Sequence, residues 1–129
     1  MAGSLTDFSE NELLDHILGT GSFTSPTNVY SSLFTVAPTD AGGGTEVTGG
    51  SYARVITAFD AAASGATANT ANVNFPSATA GWGTVVAFAI FDAITAGNML
   101  FWGDLTVSKV VNSGTQARFL AGDVDLTLD

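Results

Sequence analysis

The sequence predicts an all-β fold, an antiparallel β-sandwich of immunoglobulin-like or jelly-roll-like type with one short N-terminal amphipathic helix. Three observations predict it: short runs rich in β-branched and aromatic residues, Gly-containing turns between them at close spacing, and one stretch of helical periodicity, FSENELLDHILG. A chain of 129 residues fits a single domain, 1–129, with one core. Much of the apolar content is Ala, so nine Phe, two Trp and the Val, Leu and Ile of the strand-like runs must build that core.

The helix is predicted over residues 8–18. Ser9 and Glu12 fit a capping box, and Phe8 with Leu13 fits a hydrophobic staple. Leu13, Leu14, Ile17 and Leu18 make one apolar stripe, and Gly19 stands where a left-handed C-terminal residue belongs.

Asn28 to Val36 alternates, with Tyr30, Phe34 and Val36 on one side and Val29 and Leu33 on the other, which reads as a strand. Ala37 to Ser51 carries five glycines and reads as a loop in which Thr45 to Val47 could pair briefly at an edge. Tyr52 to Phe59 is a second strand. Ala61 to Asn74 lacks large apolar groups and fits an exposed edge strand such as Ala66 to Asn72.

Pro76 to Gly83 is a turn region expected to carry Trp82 onto the core. Thr84 to Asp92 has little polarity, the pattern of a central strand covered on both faces. Asn98 to Ser108 pairs with it through DAITAG as the clearest hairpin. Turns at Asn112–Gly114 and Ala121–Asp123 lead to strands at Thr115 to Leu120 and Val124 to Leu128. In the last, Val124, Leu126 and Leu128 alternate with Asp123, Asp125, Thr127 and Asp129.

Charge narrows the function classes. The formal net charge is −9, and Arg54, Lys109 and Arg118 are the only basic side chains, scattered along the chain. Nucleic acid and anionic lipid both need clustered cations, so neither is an expected partner. The absence of Cys excludes disulfides, thiolate catalysis and zinc–thiolate sites. No basic n-region precedes an apolar run of signal-peptide length, and Val85 to Phe91 is far too short to span a bilayer, so synthesis in the cytoplasm without membrane insertion is expected.

Candidate chemistry is sparse. Glu12 and His16 share a helical face at metal-ligand spacing, but two ligands make no site, and a dipole partner with an i, i+4 pair explains them better. Asp104, Asp123, Asp125 and Asp129 offer oxygens for calcium, although alternate acids on a strand read first as a solvated row. No catalytic constellation includes His16, no carboxylate pair stands out for glycosidic cleavage, and Gly42–Gly44 lacks the context of a phosphate loop. Trp82, Trp102, Tyr30 and Tyr52 could stack on sugar, yet both Trp residues sit in apolar surroundings and read as core pieces. No enzyme activity, cofactor or metal is expected.

Several segments together carry a resemblance: ENELLDHILG, then SFTSPTNVYSSLFTVAPTDAGGGTEVTGGSYARV, FPSATAGWGTVVAFAIFD, NMLFWGDLT and AGDVDLTLD. In this order, from Leu5 to Asp129, they resemble a family of small bacteriophage virion proteins of tail-fibre type; the chain departs from the pattern over Asp60 to Asn72. The resemblance implies a virion structural protein, made in the host bacterial cytoplasm, that assembles with copies of itself, trimers being common among such appendages, or with other virion proteins. With no heptads and no fibrous stalk, a fibre tip, a tail-associated knob or a capsid decoration protein is expected rather than a long fibre. Phe8, Leu13, Leu14, Ile17 and Leu18 are then the expected assembly surface, closing one end of the sandwich or docking on a neighbour. Thr39, Asp40, Glu46, Asn69 and Asn72 are the loop residues that would hold a host glycan if the chain binds the host.

Overall fold

The computed structural model describes residues 1–128. In chain order it contains β1 (Ala2–Leu5), α1 (Asp7–Leu18), β2 (Val29–Val36), β3 (Thr45–Glu46), β4 (Val55–Thr57), β5 (Ala66–Ala68), β6 (Val73–Asn74), β7 (Gly83–Phe91), β8 (Met99–Val111), β9 (Arg118–Phe119) and β10 (Asp125–Thr127). The fold is the expected all-β sandwich with one short N-terminal helix.

Strand order is β3-β2-β7-β8-β1-β10-β5, with β4 also on β2, and β6 pairs with β9 apart from this path. β7 and β8 form the central hairpin foreseen from their composition. All pairings are antiparallel except one: β1 runs parallel to β10 through Ala2↔Asp125 and Gly3↔Leu126. The other half of β1 pairs with β8, Ser4 opposite Trp102 and Leu5 opposite Phe101. A four-residue strand thus passes from one layer to the other and ties them together.

The main core lies between the layers. Leu33, Val73, Phe75, Trp82, Val85, Phe88, Ile90, Phe119, Val124 and Leu126 are all buried there. Phe119 meets Phe75 and Phe88 edge-on, with centroids 5.8 and 6.0 Å apart. Such offset contacts add to plain area burial. A second cluster, Phe34, Ala87, Ala89 and Phe91, fills the other face of the same sheet. Strand β7 is therefore apolar on both faces, as its sequence requires. Its register breaks between Val85 and Ala87, where Val86 and Ala87 both face the second cluster, so Val85 and Phe88, three apart, both reach the main core.

The β1 crossing needs glycine. A Cβ on Gly103 would lie against the Ala2 carbonyl and 2.7 Å from Phe88 Cε1, and one on Gly3 would stand 2.6 Å from Leu126 Cδ2. β1 was absent from the expected elements because its four residues carry no pattern beyond alternation.

Three other expectations are corrected. The strand expected over Tyr52 to Phe59 pairs only at Val55–Thr57. Trp82 is buried as expected, but Trp102 is only half-buried, beside the second cluster, its Nε1 donating to Asp40 Oδ1 at 2.8 Å. The helix cap is Thr6, whose Oγ1 accepts from Ser9 N, so the Ser9–Glu12 box and the Phe8–Leu13 staple do not form: Phe8 and Ser9 already lie in the first turn. Pairing of Leu5 with β8 makes the chain turn there. Gly19 closes the helix in the left-handed conformation, φ 77°, as expected.

Gly103→Ala should lower unfolding stability by about 1–3 kcal/mol through overpacking. A chemical-denaturation midpoint that falls at unchanged slope checks this, and an unshifted midpoint refutes the tight crossing.

Candidate functional site

The helix is held by its polar side. Thr6 Oγ1 donates to Met99 O at 2.6 Å and Ser9 Oγ to Leu100 O at 2.8 Å, both from β1–α1 onto the start of β8. Ser9 is the buried residue of α1. The apolar stripe points the other way: Leu14 is 56%, Ile17 74% and Leu18 71% exposed, with Leu13 half-buried. The expectation that the stripe closes the sandwich is therefore corrected, because two hydroxyls bound to β-strand carbonyls fix the rotation of the helix. A groove of about 660 Å³ runs beside the stripe, lined by Gly3, Leu5, Glu10, Leu13, Ile17 and Leu128 among others.

A second hollow lies at the other flank of the helix start. It encloses about 420 Å³ between Asp7, Phe8, Asp40, Gly42–Gly44, Glu46, Phe91 and Asn98. The loop that forms it is anchored. Asp7 N donates to Asp40 O at 2.9 Å, Trp102 holds the Asp40 carboxylate, and Pro38 and Val47 are buried.

Arg54 organises the far wall. Its Nε and Nη2 bind both oxygens of Glu46 at 2.8 Å, and its Nη1 binds Ala93 O and Ala96 O at 2.9 and 2.8 Å. The guanidinium lies 3.6 Å over the Phe91 ring. Two loops and a strand end are thereby tied to one cation, and Ala96 is held at φ 52° in the left-handed region. Tyr52 adds a further tie: its OH donates to Glu46 Oε1 at 2.8 Å and accepts from Leu33 N at 3.0 Å. That amide falls between the β4 and β3 pairings on the edge of β2, so the phenol fills a gap in the ladder. Burial pushes the Tyr52 phenol well above its ordinary 10.0; donation by the Leu33 amide opposes this, and the Glu46 charge reinforces it.

Of the expected site residues, the structure brings Phe8, Asp40 and Glu46 to one hollow. Thr39 turns on itself, Oγ1 donating to Gly42 O at 3.1 Å. Asn69 is no loop-tip contact: it is buried, Nδ2 donating to Ala71 O and Leu120 O while Oδ1 accepts from Val124 N. Asn72 accepts from Ala121 N at 2.9 Å.

His16 Nδ1 accepts from Phe23 N at 3.2 Å, and among the described residues no ion pair joins it to Glu12. Asp123 Oδ2 accepts from Leu120 N within its own turn, and Asp125 lies 3.7 Å from the N-terminal ammonium. Asp104 is exposed on β8, and Asp129 lies outside the described residues. Among the described residues no three His, Cys, Asp or Glu gather as metal ligands. Among the described residues no helix is long and apolar enough to cross a membrane. Sequence reasoning missed Arg54, although a lone cation inside YARVITAF, with an acid eight residues before it, was a signal.

The family model described as "Gp80: Podophage GP4 fiber I protein gp80" matches residues 4–127. The chain belongs to this family. It is thus a phage fibre protein, a structural component of the virion, and the expected resemblance holds over nearly the whole length. The family match spans α1, the anchored loop and every strand from β2 to β10, so both surfaces described above are part of the family unit. No curated protein matches the chain.

Tyr52→Phe should cost about 1–3 kcal/mol, because the buried Leu33 amide loses its acceptor. The folded phenol has the raised pKa, so its stabilising contribution is whole below pH 10 and lost as pH rises beyond that, by about 1.4 kcal/mol per pH unit. The wild type should therefore lose more stability than Tyr52→Phe between pH 10 and 11.5. Parallel pH profiles for the two proteins would contradict this role.

Proposed function

We propose that the chain acts as a non-catalytic assembly protein of a phage tail fibre, docking through the outward stripe of α1. The observation that carries this reading is the exposure of Leu14, Ile17 and Leu18 on a helix whose opposite side is bound to β8. A helix turned with its aliphatic side chains to water loses hydrophobic stabilisation unless a neighbour covers them. The family's fibre description favours the tail over a capsid decoration role; density for whole particles, showing copies on the tail or on capsid hexamers, separates the two.

A second reading rests on the hollow beside Asp40. Asp7, Asp40 and Asn98 offer oxygens next to the Phe8 ring, a combination suited to a host-surface glycan. Asp40→Ala would then reduce adsorption to the host while particles keep their normal copy number. Adsorption at wild-type level removes this reading.

The double substitution Leu14→Asp/Ile17→Asp should leave the purified protein within about 0.5 kcal/mol of wild-type stability, since both sites are exposed. It should abolish incorporation into particles, measured by protein copy number. His16→Gln should change neither. Incorporation of the double variant at wild-type level would sink the docking role of α1.

A further inference from the structure

Resting on the assembly reading, we infer that the occupant of the α1 groove is the far end of β8 from a second copy of this chain, giving head-to-tail association. The two ends of the molecule carry complementary surfaces. At one end the aliphatic stripe is accompanied by acids: Glu10 lines the groove, and Asp7, Glu12 and Asp15 lie on the same helix. The three basic side chains are elsewhere. Arg54 is committed to Glu46, and Lys109 and Arg118 line one small hollow at the opposite end of β8.

Among the described residues neither Lys109 nor Arg118 forms an ion pair. Two residues from Lys109 along β8, Val107 is 77% exposed. This tail therefore pairs apolar surface with positive charge, where the head pairs apolar surface with negative charge.

Position along β8 separates the patches. Thr6 and Ser9 fix α1 at Met99 and Leu100, where β8 lies opposite Phe91 of β7, whereas Lys109 lies opposite Val85, six β7 residues or roughly 20 Å further along the sheet. One molecule cannot join its own patches. A two-fold contact between two helices would set acids against acids, whereas head-to-tail contact sets acids against cations. Such a contact is heterologous and open-ended. The stripe is small beside a standard interface of about 800 Å² per partner, so each contact is weak and concentration-dependent.

Sedimentation analysis across a concentration series tests this, using wild type, Ile17→Asp (head), Lys109→Glu/Arg118→Glu (tail) and Val107→Asp, a tail change that leaves both cations. Each variant is first checked for native circular dichroism. Wild type should grow in mass beyond a dimer as concentration rises, while each variant alone stays monomeric. An equimolar mixture of the head and tail variants should form a 1:1 dimer and stop there, because one live head meets one live tail.

A wild type that is monomeric throughout, a dimer indifferent to the tail substitutions, or a mixture that stays monomeric each overturns the proposal. A monomeric wild type whose Leu14→Asp/Ile17→Asp form is still excluded from particles would overturn self-docking alone and leave a different virion protein as the occupant.

Discussion

The placement of β1 is the constraint on which the rest of the structure depends. Its four residues pair with β8 at one end and β10 at the other, joining the two layers that enclose Phe88. The strand can run there only because Gly3 and Gly103 leave room above the Phe88 ring. Once Leu5 is paired with Phe101, the chain turns at Thr6, and the Thr6 and Ser9 hydroxyls meet the Met99 and Leu100 carbonyls. The rotation of α1 follows. Hydrogen bonds from the two hydroxyls to β-strand carbonyls, with the Thr6 amide also on the Leu100 carbonyl, decide that the helix buries its polar side, and burial of a hydroxyl without such partners would cost more than exposing it.

This explains what could and could not be read beforehand. Strands β2, β7 and β8 were legible because their alternating or doubly apolar patterns report burial on one or both faces. Gly19 was legible because a left-handed C-terminus suits glycine. The helix start was not: Thr6, Ser9 and Glu12 all belong to residue types that cap, and only the tertiary pairing of Leu5 selects among them. The direction of the stripe was illegible for the same reason, since periodicity shows that a helix has two faces and leaves open which one the body takes. Asn69 read as a loop tip from its polar neighbours; two of its three side-chain hydrogen bonds depend on Val124 and Leu120, more than fifty residues away.

The glycine-rich loop shows a related limit. Composition predicts a loop without regular structure, and the backbone does take left-handed values at Gly42, Gly43 and Gly44. Yet the loop is anchored at both ends of the hollow, by Trp102 and Asp7 on Asp40 and by Arg54 and Tyr52 on Glu46. Glycine here serves shape more than mobility: a Cβ on Gly44 would stand 2.6 Å from the Val36 carbonyl. Bidentate Arg–carboxylate geometry with a stacked ring is specific enough to set a loop's position, which isolated surface pairs seldom do.

Charge and apolar exposure pull against each other in this molecule, and their distribution reconciles them. An excess of nine negative charges keeps free copies apart in solution, which suits a subunit that displays aliphatic side chains before it is assembled. The same repulsion would oppose any tight packing of acidic surfaces in a finished fibre. With Glu10 in the groove beside α1 and Lys109 and Arg118, which form no ion pair among the described residues, further along the sheet, opposite charges can meet only in particular relative orientations. Electrostatics of this kind contributes little raw affinity but selects orientation, while the aliphatic contact supplies the orientation-blind part of the binding energy. Net repulsion between copies protects the subunit from random aggregation, although Ile17 and Val107 are both largely exposed.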